Sequence, residues 1–426
     1  MGAAVDSPIG PSSPKYTTGG QEAPTTAKIP VVPEPSSFDP GDLEAIADPY
    51  PRLAALRAEG PVRPLTSGFV AVTGHEEALD ALRSPACGTA PIAARYLDGL
   101  PEGAARDEMS HRINFLDPPD HPRVRGLVSK AFTPRRVTAL GPWMEQTADD
   151  LLEPLAGAGP FDLLGDYAHQ LPSLVISELL GVPAADRDTL TVFSDRTAPL
   201  LGVRVDEADR EAAIVAAEEF HAYLAALLDE RRAAPGDDLL SALSVAEENG
   251  ERLQRVELLS LAATLYSAGH RTTRDLFTNG MSVLLSDPAR WQSVVSGEWA
   301  IAEVVNEFLR YETPTLFVAR IPYEPIELGG VAVEAFAPLL VYLSAANRDP
   351  AAYDDPDDFR PGRSGPAPLS FAFGAHYCLG ASLAKGEAEV MLRALAARCP
   401  DLRLAGDLRW HQRGPFRGLD ALVVEA

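Results

Sequence analysis

The sequence predicts a mainly α-helical protein with a small β region, and two patterns carry that prediction. Ile301, Val304, Val305, Phe308 and Leu309 recur at i, i+3, i+4, i+7 and i+8, the spacing of one buried helix face. Residues 258–268 and 379–395 are further long helical runs, whereas strand-like stretches such as 68–73 are brief. A chain of 426 residues, 46% hydrophobic and 23% charged, can bury a large core. No internal repeat and no second low-complexity linker divides it, so residues 39–426 are expected to form one domain.

The elements follow in order. Residues 1–38 are rich in Pro, Ser, Thr and Gly without a period, the composition of a disordered tail. Order is expected from Phe38-Asp39-Pro40. Asp48-Pro49-Tyr50-Pro51 opens a helix that runs through Arg57, with proline in its first turn. A strand over 68–73 and a helix over 76–82 come next.

Charge and cysteine usage exclude several classes. A net charge of −24 argues against nucleic acid as a partner. No apolar run approaches the roughly 18 residues of a membrane span, and no signal-peptide pattern opens the chain, so no membrane partner is expected. Cys87, Cys378 and Cys399 are too few and too scattered for a disulfide framework, which points to a reducing cytoplasm.

The most informative segment is Leu369-Ser370-Phe371-Ala372-Phe373-Gly374-Ala375-His376-Tyr377-Cys378-Leu379-Gly380. A lone cysteine is usually a small buried hydrophobe. Here small residues let the backbone bring N–H groups near the sulfur, and the helix that follows adds the positive end of its dipole. Both favour a thiolate. With no second cysteine nearby, one thiolate suits a single metal ligand, whereas zinc or an iron–sulfur cluster needs about three or four. One thiolate facing one iron implies heme.

Phe371, Gly374, His376, Cys378 and Gly380, in that order, resemble the heme-binding loop of the cytochrome P450 monooxygenases. Ala372 departs from the glycine usual there. If that position needs a positive φ, alanine costs roughly 1 kcal/mol. The resemblance spans residues 39–426 and implies the family's triangular prism, with heme b lying between a distal helix and the cysteine loop. It also makes Phe371 and His376 cofactor neighbours and Cys378 the iron ligand.

Three other segments extend the resemblance. Asp117-Pro118-Pro119-Asp120-His121-Pro122-Arg123-Val124-Arg125 starts a helix on which His121 and Arg125 share a face. Two adjacent donors suit a carboxylate pair, and the family's matching residues bind the heme propionates. Arg320 aligns with a further propionate-binding arginine, and Thr315, Leu316, Phe317 and Val318 before it are expected to line the substrate pocket. Glu307 and Arg310 match the family's Glu-x-x-Arg pair. The resemblance makes Arg363 the third member, from a meander that includes residues 346–350 and 359–363. In the final helix Lys385 replaces the usual arginine, and Gly386 costs roughly 1 kcal/mol of helix stability.

The run over 258–268 leads into Ala268-Gly269-His270-Arg271-Thr272-Thr273, which resembles the distal helix over the iron. There small residues open a groove for dioxygen, and an acid followed by threonine supports proton delivery. Thr272 matches the threonine, but Arg271 replaces the acid and cannot release a proton at any working pH. Three readings stay open. Arg271 points away from the heme to an acid on a neighbouring helix, such as those over 206–219. Or it pairs with a substrate carboxylate, and either that acid takes over the proton role or peroxide is accepted directly. Or the outcome is coupling, ring closure or rearrangement, which tolerates less exact proton delivery. Oxygenation through waters and Thr272 is ranked ahead of these altered chemistries.

The resemblance implies a bacterial oxidation, hydroxylation or epoxidation of a small specialised metabolite, and the pocket falls within residues 88–112, 187–206 and 315–319. No flavin or nucleotide motif appears, so electrons are expected from a ferredoxin and its reductase. Docking is expected at the basic stretch that holds Arg112, Arg123, Arg125, Lys130, Arg135 and Arg136 against Asp117 and Asp120. A heme protein that binds ligand without turnover is the alternative class.

Overall fold

Helix α12 (Arg255–Leu285) is the axis around which the other elements pack. The computed structural model describes residues 33–426 apart from 203, 204 and 249. Before this axis come α1 (Tyr50–Glu59), α2 (His75–Arg83), α3 (Ala90–Leu97), α4 (Ala104–His111), α5 (Asp120–Ala131) and α6 (Pro134–Ala139). Then follow α7 (Gly141–Leu152), α8 (Gln170–Leu180), α9 (Arg187–Arg196), α10 (Glu207–Ala233) and α11 (Leu239–Val245). After it come α13 (Pro288–Val295), α14 (Ile301–Tyr311), α15 (Leu343–Ala346) and α16 (Ala381–Arg398). The mainly α reading with a small β region holds.

A capping box starts α12, with the Gln254 and Glu257 side chains each meeting the other's backbone N–H. The helix does not end near residue 273; it runs on to Leu285 through Gly280. That glycine permits a close crossing, since a Cβ there would overlap the Phe308 ring of α14. Val304, Val305, Phe308 and Leu309, the stripe read from the sequence, are all buried against this core. Each such side chain contributes about 1.5–3 kcal/mol by leaving water, which sets the rotation of α14. The last helix begins at Ala381 rather than 379 and extends to Arg398.

A five-stranded sheet flanks the helices in the order 62–64, 70–72, 339–341, 318–322, 87–88. The 70–72 and 339–341 strands are parallel, and the other pairs are antiparallel. The expected strand over 68–73 is Val70–Val72, and the expected helix over 76–82 is α2. A separate hairpin, Trp410–Arg413 with Phe416–Leu419, touches Thr315 through a bridge at Phe416. Residues 1–32 of the expected tail lie outside the described residues. Ser36 donates its N–H to Pro64 O at 2.9 Å, and Phe38 is buried.

Candidate active site

The cysteine loop is a strained turn held from behind. Ala372 takes φ 55° and ψ −159°, a region that glycine occupies without strain and alanine does not. Gly374 has φ 75°, and a Cβ there would collide with Leu82 O. The Cys378 N–H donates to Phe371 O at 3.0 Å and closes the loop. Asn347 braces it: Oδ1 accepts from the Leu369 N–H at 2.7 Å, and Nδ2 donates to Ser370 Oγ at 2.8 Å. The Phe371 ring meets Tyr377 edge-on, 6.4 Å between centroids.

Cys378 itself is exposed. Burial by the surrounding loop pushes its thiol up, against the Gly380 N–H and the Arg125 guanidinium, which pull it down. The expected N–H donation is present, yet the protein alone does not favour the thiolate. A cation held at the sulfur would supply the missing stabilisation.

Basic side chains gather beside this loop. The His121 and His376 rings lie 4.1 Å apart at 37°. Arg125 Nη2 donates to Tyr377 O at 2.7 Å. Arg320 is 5% exposed and, among the described residues, donates only to its own neighbour, Ala319 O, at 2.8 Å. Burial pulls Arg320 down to about 10. Burial, then His121 and Arg320, take His376 down to about 3. The one acid close by, Asp117, is 3.9 Å from His376 and already holds the Thr89 and Ala90 N–H groups. Two guanidiniums, Arg125 and Arg320, face this single carboxylate, and a ligand with two carboxylates fits the cluster.

On α12, Ala268 is exposed although Leu261, Ala262, Ala263 and Tyr266 are buried. Thr272 Oγ1 donates to Ala268 O at 2.8 Å on the same face. Gly269 does not share it, because its Cβ position lies 3.2 Å from Ile176 of α8. Gly269 serves helix packing rather than the expected groove. Arg271 Nε lies 4.0 Å from Asp195 Oδ1, on α9. Its neighbour is therefore an acid on an adjacent helix, and not one over 206–219.

The cytochrome P450 family model matches residues 301–399. Cytochrome P450 monooxygenase PikC of Streptomyces venezuelae is 38% identical over 414 residues, 94% of this chain and 95% of that protein. The 6-deoxyerythronolide B hydroxylase of Saccharopolyspora erythraea is 37% identical over 402 residues, 90% of this chain and 98% of that one. The chain belongs to the cytochrome P450 family. The crystal structure of CalO2 superimposes on this P450 with a TM-score of 0.87 at 31% identity, covering 91% and 98% of the two chains.

It is a monooxygenase, which sets aside the binding-only alternative. Cys378 would hold the iron of heme, with His121, Arg125 and Arg320 on its propionates. Heme supplies the centre at which dioxygen is activated. Buried ion pairs tie together the segments behind the cysteine loop. Glu307 accepts from Arg310 at 2.7 and 2.9 Å, both side chains buried, and from the part-buried Arg363 Nε at 3.1 Å. Arg310 also donates to Asn347 O, Pro356 O and Asp358 O, which staples α14 to the meander.

The structure corrects the docking and pocket readings in part. Arg112 is buried against Glu108 and donates to Ser267 Oγ at 3.3 Å, so it cannot meet a partner. Arg123 is committed to Glu257 and to Asp120 at 3.2 Å, and Arg136 lies 3.5 Å from Asp237. Folding brings in acids that the linear stretch did not contain. Lys130 and Arg135 are exposed. Leu316 is fully buried, its N–H on Pro415 O, and does not line a pocket. The Phe317 ring lies 5.4 Å from that of Tyr342, tilted by 56°, and Val318 packs with the sheet cluster, leaving Thr315 beside the hairpin.

Two residues escaped the sequence reading. Glu387 is buried on α16, hydrogen-bonded to Thr273, and burial pushes it well above the usual carboxylate range. Its signal was an acid on the apolar stripe of Leu383 and Met391. His270, fully buried, carried no such signal.

Proposed function

We propose that this P450 hydroxylates or epoxidises a polyketide-like macrolactone in bacterial specialised metabolism, using heme b, dioxygen and electrons from a ferredoxin and its reductase. The observation that carries the reading is full-length likeness to a 6-deoxyerythronolide B hydroxylase, with Thr272 kept on the open face of α12. Residues 39–426 act as one heme-thiolate domain. Thr315, Thr272 and Ala268 face the substrate, and a 130 Å³ cavity between Tyr96, Leu100, Pro199, Leu200 and Arg210 forms part of its entrance. Lys130 and Arg135 belong to the donor's footprint. Three unpaired cysteines fit a cytoplasmic setting.

The test is turnover of 6-deoxyerythronolide B with a surrogate ferredoxin, its reductase and NADPH under ¹⁸O₂. A product that carries one labelled oxygen supports the reading. NADPH consumption with no oxygenated product across a macrolactone panel defeats it. Arg271 in the place of the acid favours a second reading, peroxide-driven oxygenation or oxidative coupling and ring closure. Peroxide that replaces NADPH and ferredoxin, or an oxidised product without label, would select it.

A further inference from the structure

Asn347 follows α15, is 0% exposed, and meets the start of the cysteine loop. Its Oδ1 accepts the Leu369 N–H at 2.7 Å, and its Nδ2 donates to Ser370 Oγ at 2.8 Å and to Leu309 O at 3.4 Å. Ser370 Oγ in turn donates to Leu309 O. That carbonyl is one of the last four of α14, the carbonyls that a helix leaves without an internal partner. An N–H is met only by an acceptor, so the amide has one orientation, oxygen to Leu369 and nitrogen to Ser370 and Leu309. The clamp is tied to the buried ion pairs as well, because Arg310 Nη1 donates to Asn347 O at 3.0 Å.

What this clamp holds is strained. Ala372, two residues after Ser370, has φ 55° and ψ −159°, and a side chain in that region persists only where its surroundings impose it. Two bonds frame the position. The Ala372 N–H donates to Leu369 O at 2.7 Å, on the residue whose own N–H Asn347 holds. On the other side, Phe371 O accepts the Cys378 N–H at 3.0 Å. Relaxing Ala372 to an ordinary negative φ would swing residues 373–378 in a new direction, and the sulfur with them.

We propose that Asn347 is a positioning residue for the iron ligand: through Leu369 and Ser370 it holds Ala372 in its strained turn and so fixes where Cys378 presents its sulfur. A glycine in that turn would take the same backbone unaided, whereas alanine makes this chain depend on the clamp. The role concerns the ligand loop and is independent of which substrate is oxidised.

The test compares Ser370→Ala, Asn347→Asp and Ala372→Gly with the wild-type holoprotein as ferrous carbon-monoxide complexes. Ser370→Ala removes one arm of the clamp. Asn347→Asp keeps the shape and the acceptor at Leu369 but turns a carboxylate oxygen on Leu309 O. In both, part of the Soret band is expected to move from its thiolate to its thiol position, and heme transfer to apomyoglobin should become roughly tenfold faster. Ala372→Gly should keep the wild-type band. Added to Ser370→Ala, it should restore most of the thiolate band, a non-additive result. Melting is followed in parallel, since a clamp that served the fold alone would lower the midpoint and leave the band in place. A full thiolate band with unchanged heme transfer in Ser370→Ala and Asn347→Asp overturns the positioning role. A double variant as impaired as Ser370→Ala overturns the link to Ala372.

Discussion

Arg363 Nε reaches Glu307 Oε1 at 3.1 Å from 56 residues away, on the carboxylate that Arg310 grips from the next turn of α14. The Glu307 and Arg310 side chains are 3% and 1% exposed, so water cannot replace a lost partner. Glu307→Ala leaves the buried Arg310 guanidinium without its counter-charge and is expected to destabilise the protein by about 3–5 kcal/mol. Thermal melting and loss of the Soret band on gel filtration check this. Retention of heme at wild-type stability would remove the network from its bracing role.

Ala372 carries strain in the loop that presents Cys378. Its φ of 55° with ψ −159° suits glycine, so Ala372→Gly should stabilise the protein by about 1 kcal/mol. Denaturant midpoints of the two proteins measure it.

Two glycines of equal helix propensity should respond with opposite sign. Nothing lies within 4 Å of a Cβ at Gly386, so Gly386→Ala gains about 1 kcal/mol. At Gly280 a Cβ overlaps the Phe308 ring, and Gly280→Ala should cost about 1–3 kcal/mol through overpacking. A pair of melting curves decides both.

Arg320 is a buried guanidinium with no acid within ion-pair distance among the described residues. Arg320→Met should therefore stabilise the apoprotein while weakening heme retention. Apoprotein melting and the rate of heme transfer to apomyoglobin should move in these opposed directions. Parallel movement would mean that Arg320 serves the fold alone.

Glu387 links stability to pH. Burial raises it well above its ordinary value of 4.5, so the folded state holds a proton that the unfolded chain releases. Its contribution is full below 4.5 and is lost as pH rises towards the folded value. Glu387→Gln should flatten the decline in apoprotein stability as pH rises above 4.5, as followed by urea unfolding. An unchanged slope would place the titrating group elsewhere.

What the sequence determined by itself was local. The period of Ile301–Tyr311 oriented α14, and the Cys378 loop with His121, Arg125 and Glu307-x-x-Arg310 identified the family, because these patterns lie within a few residues of chain. Tertiary structure decided what depends on packing between distant segments. It buried Arg112 against Glu108, set Asp237 and Glu257 against an apparently basic stretch, and turned Leu316 into the core. It also brought Asp195 of α9 to His270 and Arg271 of α12, 75 and 76 residues further along the chain. A charge in sequence shows its sign, but its partner, and with it the chemistry it can perform, is set by which helices the core brings together.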